Sequence, residues 1–480
     1  MALSDSSSSS SSPLLYLHSG TKVKIAITDI DGILRGKYIN YNKFKKIVKN
    51  GMGFCSVVYG WDCQDQCYQN PEVNFTGWHT GYHDIVAKLD PNTKRNLMWD
   101  NRQLLYLMDF PDEPNCQICP RNLLKRVIKR AHNMGFNPKV ALEYEWFNFK
   151  ETSQSMDNKN YQTKELVPIT PGNFGYSLLR LSQNSRYIED IYYNMLESGI
   201  PIESLHTETG PGVLEAALQY CDALEMADRS VLFKLGVKKI AGKYGIMPTF
   251  MAKWNDKLAG SGCHIHQSLE SMETSKNVFF CERSGEGNEE GNEEGNEEGN
   301  DERSSEPSGE CSVNNMSPVM RHYLAGQLHC LPFILPMFAP TVNSYKRLVD
   351  GYWAPTRVGW GIENRTGTHR VILGGESSIR IECRVGGADL NPYLAIAASI
   401  ASGLYGIENK LELQEPFAGN AYLNDNLVKL PNNLKTAIEY MESNPLGSEL
   451  FGDKFVSHFV ATRKSEWNNF NQSVTDWERK

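Results

Sequence analysis

No apolar run in this chain is long enough to cross a bilayer: the longest, Leu331 to Val342, is broken by Pro332, Pro336 and Pro340 and reads as a buried segment. An excess of positive charge is also missing. With 49 Lys and Arg against 57 Asp and Glu, the net charge of -8 excludes a broad basic face for nucleic acid or anionic lipid, so cationic chemistry must be concentrated in a pocket. There is no cysteine framework either. Eleven cysteines, an odd number scattered over 480 residues, read as reduced thiols rather than staples. The lone Cys116-x-x-Cys119 has no second C-x-x-C and reads as a loop entering a helix. The opening MALSDSSSSSSSPLL lacks a basic n-region and a long apolar h-region, so residues 1–17 are expected to be a flexible tail. Together these absences predict a soluble, cytoplasmic protein whose partners are small molecules, with no nucleic acid and no membrane. A G-x-x-x-x-G-K-[ST] phosphate loop is absent as well.

What the chain does carry is a set of alternating polar pairs: Glu143-x-Glu145 in ALEYEWF, His206-x-Glu208 in HTETGPG and His264-x-His266 in CHIHQS, with Glu215 and Glu382 downstream. In a strand, residues i and i+2 point to one face, so each pair aims two polar groups into one cavity while Tyr144, Thr207 and Ile265 face away. A single such pair is usually a solvated strand face, but their joint occurrence reads as a divalent-metal site. Carboxylate oxygens with one imidazole suit magnesium or manganese better than zinc held by sulfur, and the number of ligands implies two sites. Five acids converging on one cavity would push one another's pKa values upward unless cations neutralised them.

An arginine-rich tract follows: NSYKRLVDGYWAP, ENRTGTHRVI and SIRIECRVGGADLNPYLA. Arg347, Arg365, Arg370, Arg380 and Arg384 keep their charge, and their planar forks hold carboxylate or phosphate through paired hydrogen bonds. An acidic cage beside a basic clamp is what phosphoryl transfer needs, since positioning and charge neutralisation do most of that work. The glycines of Gly210-Pro211-Gly212 and Gly260-Ser261-Gly262 adjoin the metal motifs and permit close backbone approach to a ligand.

Length alone is compatible with about three domains, or with one large enzymatic unit beside a small one. Alternation over Lys22 to Asn50 and Ile85 to Phe110 predicts a small mixed domain over 18–112, with a short basic helix. A break at PDEPNCQICP opens the larger part, 113–480, where helices are expected from about Arg121 to Gly135, over Arg186 to Ser198 and over Asp222 to Tyr244. The repeat SGEGNEEGNEEGNEEGNDERSSEPSGE cannot bury apolar area, and 283–313 is expected to be a disordered acidic insertion.

In order and spacing, ALEYEWF, H-x-E-x-GPG-x-x-E, GSGCHIHQSL, NSYKRLVDGYWAP, ENRTGTHR and RIECRVGGADLNPYLA resemble the glutamine synthetase family, type I, over the chain from about Lys22 onward. The resemblance implies an α+β fold: an N-terminal β-grasp domain and a large catalytic domain built on a curved antiparallel sheet, assembled as a homo-oligomer, a dodecamer in the family. It implies one metal held by Glu145, Glu208 and Glu215 and a second by Glu143, His264 and Glu382. Gly260, His266, Arg347 and Arg384 match glutamate-binding positions, and Ser268, Arg365, Arg370 and Arg380 match nucleotide and phosphoryl positions. Arg365 and Arg384 would be the catalytic arginines. The implied activity is ATP-dependent: the γ-carboxylate of L-glutamate becomes γ-glutamyl phosphate, which ammonia or a primary amine then captures. One departure bears on the nitrogen donor. Ammonia-using members commonly read PGYEAP where this chain reads DGYWAP, so Trp353 stands in the nitrogen-donor pocket and the anionic partner for ammonium is missing. The segment Phe54-Cys55-Ser56 likewise lacks the family's carboxylate. A γ-glutamyl-amine or γ-glutamyl-polyamine synthetase therefore stands beside a glutamine synthetase. A catalytically silent scaffold of the same fold is the alternative from another class; it predicts lost ligands, and here all six positions are intact.

Overall fold

The computed structural model describes residues 20–69, 73, 75–110, 117–162, 165–281, 315–475 and 478. The expected tail and acidic insertion, and Cys116, lie outside the described residues.

The N-terminal part is a mixed sheet of six strands: β1 (Lys22–Thr28), β2 (Leu34–Asn40), β3 (Met52–Cys55), β4 (Asp84–Leu89), β5 (Arg95–Leu97) and β6 (Gln103–Asp109). Their order is β2-β1-β6-β4-β3, with β5 also on β6, and β1 runs parallel to β6. The expected basic helix forms over Tyr41–Asn50 and is capped by Asn40, whose side chain accepts from the Lys43 amide. Phe44 and Ile47 of this helix are buried against the sheet with Phe54 and Tyr106. The alternation expected through LLYLMDF is absent, because every residue of β6 is buried. Leu104, Tyr106 and Met108 face the small core, while Leu105 and Leu107 face the core of the larger part. A sheet covered on both faces has no polar face to show.

The larger part is built on nine strands: β7 (Phe136–Phe149), β8 (Ile202–Thr207), β9 (Val213–Leu218), β10 (Cys221–Asp222), β11 (Met247–Thr249), β12 (Cys263–Ser271), β13 (Trp360–Ile362), β14 (His369–Ile372) and β15 (Arg380–Cys383). They are ordered β13-β14-β15-β12-β7-β9-β8, with β10 and β11 also on β7. All of the pairings are antiparallel except β13 with β14, which is parallel. Helices cover one face. They include Pro120–Asn133, Ser185–Glu197, Ala223–Ala241, Pro318–Ile334 and Pro392–Glu408, the first three close to the expected positions. Pro332 lies inside the Pro318–Ile334 helix, two residues from its end, and the apolar run it belongs to is buried as expected. No helix among the described residues is long and apolar enough to cross a membrane.

Arg121 ties the two parts together. Its guanidinium donates to Asp228 through Nε at 2.9 Å and Nη2 at 2.8 Å, to Asp90 at 2.8 Å, and to Asp109. Three carboxylates around one buried cation engage all three of its nitrogens, and Tyr393 completes the set by donating to Asp228 at 2.7 Å. Among the described residues eight cysteines are free thiols, as expected. Cys281 departs from that expectation: it is disulfide-bonded, and its partner is outside the described residues.

Candidate functional site

Strand β7 alternates as its sequence predicts. Tyr144 and Trp146 are fully buried on the helix-facing side, where Tyr144 stacks on Phe233 at 5.8 Å and Trp146 on Phe250 at 5.9 Å. Glu143 and Glu145 are thereby forced to the opposite face. On β12, Ile265 joins the core and Gln267 accepts from Tyr323 at 2.8 Å and from Gln327 at 2.9 Å, which leaves His264 and His266 facing the same way as the glutamates.

Register then brings residues distant in sequence side by side. His264 is opposite Glu143, His266 opposite Glu382, Glu382 opposite Arg370, Glu145 opposite Glu215, and Glu215 opposite His206. The result is a polar stripe across β14, β15, β12, β7, β9 and β8. Two groups within it can each converge on one ion: Glu143 with His264 and Glu382, and His206 with Glu208 and Glu215. In the first, His264 Nδ1 lies 3.3 Å from Glu143 and 3.5 Å from Glu382. In the second, His206 Nε2 is 3.3 Å from Glu215 and its Nδ1 is 3.8 Å from Glu208. Glu145 sits between the groups, accepting the Gly262 amide at 2.6 Å, with His264 Nε2 3.9 Å away. His206, read in sequence as part of the alternating metal-site pairs but not among the six ligands the resemblance implies, thus takes a place beside Glu208 and Glu215.

The donor set fits a hard divalent cation. It is carboxylate and imidazole without sulfur, and Glu208 Oε2 and His264 Nε2 are buried with no hydrogen-bond partner among the described residues. Electrostatics point the same way. Burial pushes the Glu145 and Glu215 carboxyls upward, against the pull of Arg347 on the first and of His206 on the second. Burial acts most strongly on Glu382, but Arg384, His264 and His266 together outweigh it and hold the carboxyl down at about 2. Glu143 likewise stays ionised, because the hydrogen bond with His264 at 3.3 Å and the His266 imidazole 3.2 Å away together outweigh its burial. Burial and the nearby Arg384 push His264 down, so it presents a lone pair rather than a proton.

These shifts carry a sign. Acids raised in the folded state bind protons that the unfolded chain has released, so stability falls as pH rises from their ordinary range through the raised value; a bound cation removes that penalty. His264, lowered in the folded state, has the opposite sign: its contribution is present above the ordinary imidazole range and is lost as pH falls through it. The carboxylate penalty that magnesium relieves grows as pH rises above the ordinary carboxylate range, so the gain in Tm on adding magnesium should grow with it, as read by thermal melts at fixed ionic strength. A gain that is flat or shrinks with pH contradicts this account.

Opposite the acids stand the arginines. Arg384 donates to Glu382 at 2.5 Å and Arg370 to the other oxygen of Glu382 at 3.0 Å. Arg380 Nε donates to His266 Nδ1 at 3.1 Å. Arg347 is buried and pinned by the carbonyls of Val385 at 2.9 Å and Arg384 at 3.2 Å. The glycines of the GSG turn are needed where they are. A Cβ at 262 would lie 2.9 Å from both Arg347 and His264, and one at 260 would lie 2.3 Å from the Ala252 carbonyl. Beside the stripe opens a cavity of about 390 Å³, bordered by Glu143, His266, Ser268, Arg380, Lys139 and Tyr220. Arg365 lies exposed, close enough to Tyr176 to act on its hydroxyl, and forms no ion pair or hydrogen bond among the described residues. Tyr176, which the sequence analysis did not single out, stacks on His206 at 4.5 Å with its backbone in the left-handed region. The GNFGY glycines beside it are the signal that could have found it. Trp353 is 58 % exposed, also left-handed at φ 62°, and makes no ring or cation contact among the described residues.

Two groups of hard ligands facing fixed guanidinium groups make a candidate divalent-metal site on an α+β scaffold. The family model described as glutamine synthetase, catalytic domain, matches residues 117–292 and 304–480. The chain is 47 % identical over 463 residues to type-1 glutamine synthetase 2 of Dictyostelium discoideum, covering 95 % of this chain and 82 % of that one. It is 34 % identical to gamma-glutamylethanolamide synthetase GlnA4 of Streptomyces coelicolor, covering 95 % and 91 %. A solved GmaS/ADP complex superposes with a TM-score of 0.77 at 26 % identity, covering 96 % of each chain. The chain belongs to the glutamine synthetase family.

Proposed function

We propose that the protein uses ATP to activate the γ-carboxylate of L-glutamate as γ-glutamyl phosphate and joins it to a primary amine in preference to ammonia. The observation that supports the ligase reading is the convergence of Glu143, His264 and Glu382 beside Arg370 and Arg384 on one sheet face. In this reading Glu143, His264 and Glu382 hold one magnesium or manganese ion, and Glu208 and Glu215, with Glu145 or His206, hold another. Bound divalent ions would supply charge neutralisation for the nucleotide phosphates. Gly260, His266, Arg347 and Arg384 orient glutamate. Ser268, Arg370 and Arg380 border the nucleotide, and Arg365 swings from the rim onto the transferring phosphoryl group. The γ-carboxylate oxygen attacks the terminal phosphorus in line, and ADP leaves. The neutral amine nitrogen then attacks the acyl carbon, phosphate leaves with the C–O bond electrons, and the surplus N–H proton passes to the departing phosphate. Walls that exclude water protect the acyl phosphate in between. We also infer a homo-oligomer, the dodecamer of the family, in which neighbouring copies would cover the exposed Phe174, Tyr176, Leu178 and Leu179.

The amine preference is supported by Trp353. An exposed aromatic ring offers an alkylammonium chain both apolar contact and cation–π attraction, whereas it gives ammonium no anionic partner. Two relatives bear on this: gamma-glutamylethanolamide synthetase of S. coelicolor and gamma-glutamylputrescine synthetase PuuA of Escherichia coli, the latter 29 % identical over 467 residues. A panel of ammonium, methylamine, ethanolamine, putrescine and spermidine tests it by kcat/KM. The best amine should exceed ammonium by about tenfold or more, the range expected for one apolar contact. Ammonium used as efficiently as the best amine would remove Trp353 from donor selection.

A further inference from the structure

The short helical turn Ala421–Leu423 is fixed against the segment that carries Arg365. Asn420 caps it by accepting the Tyr422 amide at 3.0 Å, the Ala421 amide donates to the Thr366 hydroxyl at 3.0 Å, and Asn364 donates to the Gly419 carbonyl at 2.8 Å. Arg357, itself buried, grips the Tyr422 carbonyl with Nε at 3.1 Å and Nη2 at 2.8 Å. The backbone at Tyr422 is therefore held on both sides.

From that fixed turn the neighbouring side chain, Leu423, points outward and is 79 % exposed. Tyr422 does the reverse. Its hydroxyl is buried and has no hydrogen-bond partner among the described residues. A buried hydroxyl left unpaired calls for an explanation, and the groups around it supply one. Burial pushes the Tyr422 hydroxyl upward, while Arg384 and then Arg347 pull it back and Asp350 acts against them, so the hydroxyl faces the two arginines of the proposed glutamate site. Arg384 gives Nη1 to Glu382 at 2.5 Å, yet its Nε is also buried without a partner among the described residues. Arg347 spends Nη1 and Nη2 on the Val385 and Arg384 carbonyls. The nearby acceptor, Asp350, is taken by the Thr356 hydroxyl.

Two buried donors, an O–H and an N–H, beside a second guanidinium group are complementary to a carboxylate oxygen. We propose that Tyr422 is a further substrate-binding residue, its hydroxyl donating to a carboxylate oxygen of bound L-glutamate alongside the Nε–H of Arg384. The assignment rests on the reading of Arg347 and Arg384 as glutamate-binding residues. It adds a neutral donor to that cationic pair, carried on a turn whose backbone anchors leave little to reorganise on binding.

Calorimetric titration of the full chain with L-glutamate in the presence of magnesium and ADP, on the parent and on Tyr422→Phe, tests this directly. Glutamate should bind the variant about tenfold more weakly, the loss expected for one hydrogen bond to a charged group. Affinity for magnesium-ADP should stay within about twofold of the parent. The Tm of the ligand-free variant should equal or exceed the parent's, because phenylalanine keeps the packing and removes an unpaired polar atom. Equal glutamate affinity in parent and variant would overturn the proposal, and so would a lowered Tm with parallel loss of glutamate and ADP binding, which marks a structural role. Absence of saturable glutamate binding by the parent would instead contradict the ligase reading itself, and this assignment with it.

Discussion

Glu382→Ala is expected to lower turnover at least about a hundredfold, the scale on which removal of a single charge-organising group acts at a polar active site. Glu382 is 1 % exposed, receives Arg384 on one oxygen and Arg370 on the other, and lies opposite His266 in the sheet register. Its removal takes a ligand from the proposed ion of Glu143 and His264 and leaves two guanidinium groups without their carboxylate. The second effect costs stability, on the order of 3–5 kcal/mol for a broken buried pair. Glu382→Gln separates the two effects, because it keeps the shape and one acceptor but loses the charge. Calorimetric titration with manganese should show the loss of one class of site in both variants. Turnover within about twofold of the parent would refute the assignment of Glu382 to the metal and phosphate machinery.

Arg365→Lys is expected to reduce kcat by about tenfold to a hundredfold with a smaller change in the KM for glutamate. The exposed position of Arg365, and the absence of any partner for it among the described residues, leave its fork free for a phosphoryl group. A lysine ammonium carries the charge but cannot present two parallel donors to a planar array of oxygens. Since Arg365 carries no structural hydrogen bond here, Tm should stay within about 1 °C of the parent, as for a surface substitution. An unaltered kcat would remove Arg365 from phosphoryl transfer.

The parts of this site legible in sequence were those encoded by local period. Glu143-x-Glu145 and His264-x-His266 had to face one way because Tyr144, Trp146 and Ile265 are committed to the core. Partner choice between strands was not legible, since it is set by register across segments far apart. Glu215 meets both Glu145 and His206 only because β9 lies between β7 and β8. That placement is what brings His206 into the second ligand group. Strand β6 hid its alternation for a related reason: both of its faces are covered, so position in the sheet overrides polarity pattern. Helix positions were legible from apolar spacing and capping residues. Pro332 was expected to interrupt its run, but a proline near a helix end removes little of the hydrogen-bond ladder, and the helix continues to Ile334.

Release of ADP and phosphate, followed with glutamate, magnesium and an amine each withheld in turn, tests the central claim most directly. Sustained release is expected only when all three are present, with one γ-glutamyl-amine formed per ADP. Release at full rate without glutamate or without magnesium, or none with all three supplied across the amine panel, would contradict it.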